Sequence, residues 1–353
     1  MTEQVMGLIK SVFGAVAATP VHASSDSGFN SGLAATFDVS DDALRDFPAR
    51  LALHHRPGGL VLLDDVPDYL EVLADAMPRN WNVHTFGSGQ ECVNYLQQEP
   101  PKWEADFWDQ QQLVEKWQAG QRLIPLLLEY LANHQGRRLL TKVFVSDYLM
   151  PGMDGLAVMQ ELAVWPGYKV LLTGAYDENL AAEAIYSGLI HQFLPKQTPA
   201  LGSKLRSIIT TFMSRPNARY DEIWAATLTK EQSELLQTPD IAAGLNAMVS
   251  KAFVEWFVIG DPFGVIGVER PGTVSWIQLE PTAQLPVLAA LAEQWGASTQ
   301  ESEQIRRGLA ISDGRLLGDL GSDRKPGTVP AVHVGGHGRL LAAARPIPCH
   351  PPA

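Results

Sequence analysis

Five polar residues stand where short apolar runs come to an end. Asp64 and Asp65 follow GLVLL at 59–63, Asp147 closes KVFVSD, Thr173 closes KVLLT, and Lys196 comes just after the apolar pair Phe193-Leu194. An apolar run that stops in acids is the pattern of a buried parallel strand meeting a loop. In an open α/β sheet the reactive crevice lies beyond the carboxyl ends of the strands, so all five groups are expected on one edge. Three carboxylates crowded together repel unless a hard divalent cation with oxygen ligands sits among them, and Mg²⁺ fits that requirement. A carboxylate beside such an ion can attack a phosphoryl group, while the metal, the Lys ammonium and the Thr hydroxyl neutralise charge on the phosphoryl oxygens. The product would be an aspartyl phosphate. The plainer alternative is that the three acids cap helices and that Thr173 simply suits a strand end.

The elements that must hold these residues follow from periodicity. Strands are expected at 59–63, 83–86, 142–147, 169–174 and 191–194, with helices between them. One runs from Pro67 to Met77 with apolar Tyr69, Val72, Leu73 and Ala76 on a stripe, Pro being tolerated at its start. Another starts at Ser88 with Glu91 as a capping box. Such alternation implies an α/β fold with a five-stranded parallel doubly wound sheet at about 58–215. The stretch of about 98–140 is too long for a connection. It reads as a helical insertion whose Trp103, Phe107, Trp108 and Trp117 form a satellite core or, alternatively, a dimer contact.

The segment SDYLMPGMDG at 146–155 is similar to the surroundings of the phosphoaccepting Asp in CheY-like receiver domains of two-component response regulators. The resemblance implies Asp147 as phosphoacceptor, with Thr173 and Lys196 completing the catalytic set. It further implies Asp64, Asp65, Asp147 and the backbone carbonyl of Leu149 as Mg²⁺ ligands, and Thr173 and Phe193 as the switch pair. Asp147 to Thr173 and Thr173 to Lys196 are each one β-α unit long, as the family requires; Asp65 to Asp147 is longer by the insertion. Leu149 and Ala175 follow Asp147 and Thr173 by two positions and carry no polar group, which implies a slowly hydrolysed phosphate. The expected partner is a sensor histidine kinase or a phosphotransfer protein.

Beyond the receiver, residues 216–253 read as a helical linker and 254–353 as a small α+β domain without family resemblance. Helices at 220–236 and 241–257, with Asp240 as a cap, invite a helix-turn-helix reading, that of a DNA-binding transcriptional regulator using helices in 221–257. Five acids against two lysines from Asp221 to Phe253 argue against contact with phosphate backbones. A hairpin is expected across Glu269-Arg270-Pro271-Gly272. His333 and His337 would suit a metal pair only with a third ligand and the right strand geometry, and Cys349-His350 stands near the terminus, so a turn with incidental histidines is the plainer reading; no enzymatic output motif is visible.

With 27 Lys+Arg against 39 Asp+Glu the formal charge is −12, which disfavours nucleic acid. Two cysteines far apart suit a reducing cytoplasm, and no apolar run is long enough to span a membrane. Residues 1–57 read as a largely disordered tail in which Glu3 and Lys10 spoil a signal-peptide pattern. The expected protein is therefore a cytoplasmic, non-enzymatic phospho-switch that signals through protein contact or a homodimer.

Overall fold

The computed structural model describes residues 51–79, 81–174, 178–270 and 272–347. The tail up to residue 50, Ala175, Pro271, Cys349 and His350 lie outside the described residues. Two compact units result. One contains Pro57–Asp109 and His134–Arg215; the other contains Gln110–Asn133 and the described parts of Met1–Arg56 and Pro216–Ala353. This division differs from the one read in the sequence at three places: the end of the tail, the insertion and the linker.

The end of the tail forms β1 (His54–His55), which pairs antiparallel with a strand some two hundred residues on, His54 opposite Phe257. A two-residue strand carries no readable alternation, which is why its pairing was not visible.

In the unit that contains Pro57–Asp109 and His134–Arg215, β2 (Gly59–Leu63), β3 (Asn82–Phe86), β4 (Thr141–Asp147), β5 (Tyr168–Thr173) and β6 (Gln192–Pro195) form one parallel sheet of order β3-β2-β4-β5-β6. Every residue of β2 is buried, as expected where helices cover both faces. The helices in chain order are α1 (Pro67–Asp75), α2 (Gly89–Leu96), α3 (Pro100–Gln118), α4 (Leu123–Asn133), α5 (Gly155–Glu161), α6 (Glu178–Tyr186) and α7 (Leu201–Ser214). Leu70 and Leu73 of α1 and Leu205, Ile209 and Phe212 of α7 cover one face with Leu60, Leu62, Val143 and Val170. Cys92 and Leu96 of α2, Val158 and Met159 of α5 and Ala184 of α6 cover the other. Burial among these side chains pushes the Cys92 thiol pKa up. Ser88 starts α2 as its N-cap but makes no capping hydrogen bond through its side chain.

The insertion is two helices, α3 and α4, and the apolar run of α4 serves the other unit. There Leu123, Ile124, Leu127, Tyr130 and Leu131 are buried, and the Ile124 N–H donates to Asp319 Oδ2 at 2.8 Å. Of the aromatic residues expected to form a satellite core, Trp103 is buried but Trp108 is 56% exposed.

The same unit continues through α8 (Ala218–Ala225), α9 (Lys230–Leu236) and α10 (Pro239–Ala252) into β7 (Glu255–Gly260), β8 (Phe263–Val268) and β9 (Val274–Pro281). Then come α11 (Leu285–Gln294), α12 (Thr299–Arg306), β10 (Ala310–Ser312), α13 (Gly314–Leu320), β11 (Thr328–Pro330), β12 (Val332–Val334) and β13 (Leu340–Pro346). Its main sheet is antiparallel with order β1-β7-β8-β9-β13-β12, and β10 pairs with β11. The expected hairpin is present, Val268 pairing with Val274.

Residues 216–253 are core rather than linker. Trp224 is fully buried, its Nε1 donates to Gln110 Oε1 at 2.9 Å, and Gln110 Nε2 donates to the Tyr130 hydroxyl at 3.0 Å. The helix expected to reach Phe257 stops at Ala252, because Glu255–Gly260 pairs into the sheet. Asp240 does not cap it; its carboxylate accepts from the Gly336 N–H instead. Seven of the fourteen residues of α10 are buried, so one face of this helix belongs to the core of its own unit. Among the described residues no helix is long and apolar enough to cross a membrane.

Where the insertion leaves the receiver sheet, Glu99 is buried, 4% exposed, and fully engaged. Its Oε1 accepts from the Thr141 N–H at 2.9 Å and the Thr141 hydroxyl at 2.8 Å, and its Oε2 from Trp165 Nε1 at 2.9 Å. One carboxylate thus ties the start of α3 to the start of β4. Replacing Glu99 by Leu strands these buried donors, each of which costs on the order of 1–3 kcal/mol when left unmade. The expected result is a loss of about 3 kcal/mol in urea denaturation. A variant within a few tenths of wild type would show that the carboxylate is dispensable.

Candidate functional site

The parallel register brings the strand ends level. Leu63 lies opposite Ser146, Asp147 opposite Leu172, and Thr173 opposite Pro195, so Asp64, Asp147, Thr173 and Lys196 emerge together. Asp64 is fully buried, Asp147 is 5% exposed and Thr173 is buried, whereas Asp65 is exposed. Carboxylate oxygens of Asp64, Asp65 and Asp147 lie within 4.8 Å of one another.

Each acid is held by backbone as well as by charge. Asp64 Oδ1 accepts from the Val66 N–H at 3.0 Å, which fixes the turn into α1. Asp147 Oδ1 accepts from the Tyr148 N–H at 2.8 Å. The turn that follows is closed by the Gly155 N–H donating to the Tyr148 carbonyl at 2.9 Å, and Asp154 caps α5 by accepting from the Ala157 N–H at 2.8 Å. Gly155 is required by close approach, since a Cβ there would collide with the Asp147 carbonyl oxygen. Gly152 has φ +82°, a conformation that favours Gly. The Pro-Gly-x-Asp-Gly pattern is thus the means by which the chain doubles back under Asp147.

Lys196 Nζ lies 2.9 Å from Asp64 Oδ2 and 2.9 Å from Asp147 Oδ1, and its own N–H donates to the Thr173 carbonyl at 2.8 Å. The Thr173 hydroxyl is buried and has no hydrogen-bond partner among the described residues. Phe193 is half-buried against the core on the α5 side, and the Leu149 side chain is 64% exposed. Asp64, Asp65, Asp147, Thr173 and Lys196 therefore stand at one edge of the sheet, while Phe193 lies within β6, the strand that leads to Lys196. The sequence reading missed Tyr69, whose ring lies under the Lys196 ammonium at 4.6 Å. Nothing in the spacing of Tyr69 marks it apart from its neighbours on the apolar stripe of α1.

The electrostatics fit a divalent cation. Three carboxylates and one ammonium sum to −2, a charge that a +2 ion offsets with the oxygen ligands it prefers. Burial pushes the Asp147 carboxyl pKa up, against the pull of Lys196 in the opposite direction. Burial lowers the affinity of Lys196 for its proton, but hydrogen bonds and charge from Asp147 and Asp64 outweigh it and the pKa rises. Burial thus dominates for the acid and pairing for the base. Because a metal needs its ligand deprotonated, protons compete for this site at a higher pH than for an ordinary Asp, near ~3.9. Addition of Mg²⁺ is expected to raise the melting temperature at neutral pH by mass action. That rise should begin to shrink while the pH is still above the ordinary Asp range. A cation-induced shift that is constant down to that range would contradict the assignment of Asp147 as a ligand.

No family model matches the sequence, and neither does any curated protein. Among solved structures the chain is similar to the Legionella pneumophila response regulator LqsR, at 21% identity and a TM-score of 0.59 over 83% of this chain and 88% of that one. It also overlaps an adenylate cyclase from Rhodopirellula baltica, at 20% identity and a TM-score of 0.30 over 48% of this chain and 94% of that one. A response regulator receiver domain protein from Clostridium thermocellum matches at 17% identity and a TM-score of 0.28, over 45% and 95%. The first of these spans both units of the chain, and the likeness is one of fold: the parallel sheet β3-β2-β4-β5-β6 with its helices is a receiver-type α/β fold, accompanied by further helices and an antiparallel sheet.

Proposed function

We propose that this protein is a phospho-switch whose Asp147 accepts a phosphoryl group from a histidine kinase or a phosphotransfer protein. The observation that carries the reading is the Lys196 ammonium bridging Asp64 and Asp147 at 2.9 Å, beside a buried Thr173 hydroxyl with no acceptor. An unmade buried hydroxyl is costly, and a phosphoryl oxygen on Asp147 would supply the missing acceptor.

An oxygen of Asp147 attacks the phosphorus of the donor; the bond to the donor's nitrogen or oxygen breaks, and the leaving group departs with the electron pair. Lys196 then exchanges its contact with Asp147 for a phosphoryl oxygen, and the Thr173 hydroxyl donates to another. Asp64, Asp65 and Asp147, with the Leu149 carbonyl, would hold Mg²⁺, which when bound offsets charge on the phosphoryl oxygens. Inward movement of Thr173 vacates space that Phe193 fills, changing the surface beside β6. The output is a protein contact, made by the unit that contains α8 to β13 or by a second copy of the chain, in the cytoplasm. The burial of α10 in its own core favours this over DNA binding.

Incubation of the full chain with a small phosphodonor and Mg²⁺ is expected to add one phosphoryl group, seen in the intact mass, and Asp147→Asn should abolish it. Equal labelling of wild type and Asp147→Asn would sink the assignment. Leu149 offers no polar group to orient a hydrolytic water, so the phosphate should persist well beyond seconds once the donor is removed. A half-life of seconds in the isolated protein would contradict that reasoning.

A further inference from the structure

Tyr69 is the third residue of α1, which Pro67 opens. Its side chain packs against the cluster containing Leu70, Leu73 and Leu205, where an aliphatic residue would serve equally well. Tyr brings two things that an aliphatic residue does not. The first is a hydroxyl, and this one is buried with no hydrogen-bond partner among the described residues. For core packing alone it is a liability. The second is an aromatic face, and that face lies 4.6 Å from the Lys196 ammonium.

Lys196 reaches its position on a flexible stem, and its side chain is 28% exposed. Two carboxylates pull it along the strand edge, Asp64 through Oδ2 and Asp147 through Oδ1. The contact with Asp147 does not survive unchanged when Asp147 becomes an acyl phosphate, because its carboxylate loses its full negative charge. The ring contact does not depend on the state of Asp147. A face of negative quadrupole beside a partly desolvated ammonium attracts it at all stages.

We infer that Tyr69 is a positioning residue: its ring face holds the Lys196 ammonium over the phosphoryl pocket while the Lys transfers its contact from Asp147 to phosphate. The inference rests on the reading of Asp147 as phosphoacceptor and adds to it a residue that acts through Lys196. The ring, not the hydroxyl, carries the role.

The test compares full-length wild type, Tyr69→Phe and Tyr69→Leu. The first readout needs no phosphate: the ε-methylene proton signals of Lys196 in the NMR spectrum. A ring stacked under Nζ shifts these signals upfield, so they should stay displaced in Tyr69→Phe and relax to ordinary Lys positions in Tyr69→Leu. The second readout is the maximal rate of phosphorylation by acetyl phosphate with Mg²⁺. Loss of a desolvated cation–π contact predicts a decrease of roughly five- to thirtyfold in Tyr69→Leu, with Tyr69→Phe restoring most of the rate. A ring that merely packs beside Lys196 would displace its signals but leave the phosphorylation rate of Tyr69→Leu unchanged.

Undisplaced Lys196 signals in wild type would overturn the inference, whatever the rates. So would a Tyr69→Leu protein phosphorylated as fast as wild type, or a Tyr69→Phe protein as slow as Tyr69→Leu, which would shift the role to the hydroxyl. Failure of wild type to take up phosphate, with the Lys196 signals displaced as expected, would instead overturn the phosphoacceptor reading. The ring contact would then stand by itself.

Discussion

Like charges held close together at one edge of a buried sheet constrain the rest of the receiver unit. Asp64 and Asp147 are almost wholly removed from water, and each would repel the other if nothing cationic lay between them. Lys196 reaches both at 2.9 Å, but a single ammonium leaves three neighbouring carboxylates undercompensated. The fold tolerates this excess because the acids sit at strand ends, where Asp64 and Asp147 also accept backbone N–H groups from Val66 and Tyr148. Burial of an ion without such partners would shift it to its neutral form. Burial pushes the Asp147 pKa up in that direction, and Lys196 and the Tyr148 N–H pull against it.

That constraint explains why the strands are so uniformly apolar. A sheet covered on both faces by helices shields its edge from solvent, so the strands leading to the acids must be buried throughout, as β2 is. Parallel pairing then brings the strand ends to one level without further adjustment. Even the glycine after Asp154 follows, since the loop must fold back against the carbonyl of the residue it serves.

These dependencies made the receiver legible. Buried parallel strands carry continuous apolar runs, and each expected strand is present with its ends shifted by a residue or so, such as 83–86 becoming Asn82–Phe86. The site residues were legible because chemistry fixes their types. Tyr69 and Glu99 were not, since one looks like a stripe residue and the other like a solvated acid; only the packing reveals the Lys196 contact and the three donors around the carboxylate. The second unit was read least well. Its antiparallel sheet recruits a two-residue strand, His54–His55, from the far end of the chain, and its core recruits α4 from inside the receiver sequence. Local patterns carry no information about such long-range partners. The helices of 216–253 looked like a linker because their buried faces are apolar stripes of ordinary width, and what they cover cannot be read from periodicity.

The insertion has a consequence for what counts as a domain. Helix α3 is one uninterrupted element from Pro100 to Gln118, yet its first residues count with the receiver unit and those from Gln110 onward with the other. Its start is fixed by Glu99 on Thr141 and Trp165, and farther along Gln110 accepts from Trp224 and donates to Tyr130. The boundaries 58–215 consequently do not enclose a self-sufficient piece. Cut there, the chain would keep α4 but lose the residues that bury Leu123, Ile124 and Leu127 and the Asp319 carboxylate that accepts from the Ile124 N–H. An exposed run of that length is an aggregation hazard, so a fragment cut at residue 215 carries an apolar helix whose packing partners lie elsewhere in the sequence.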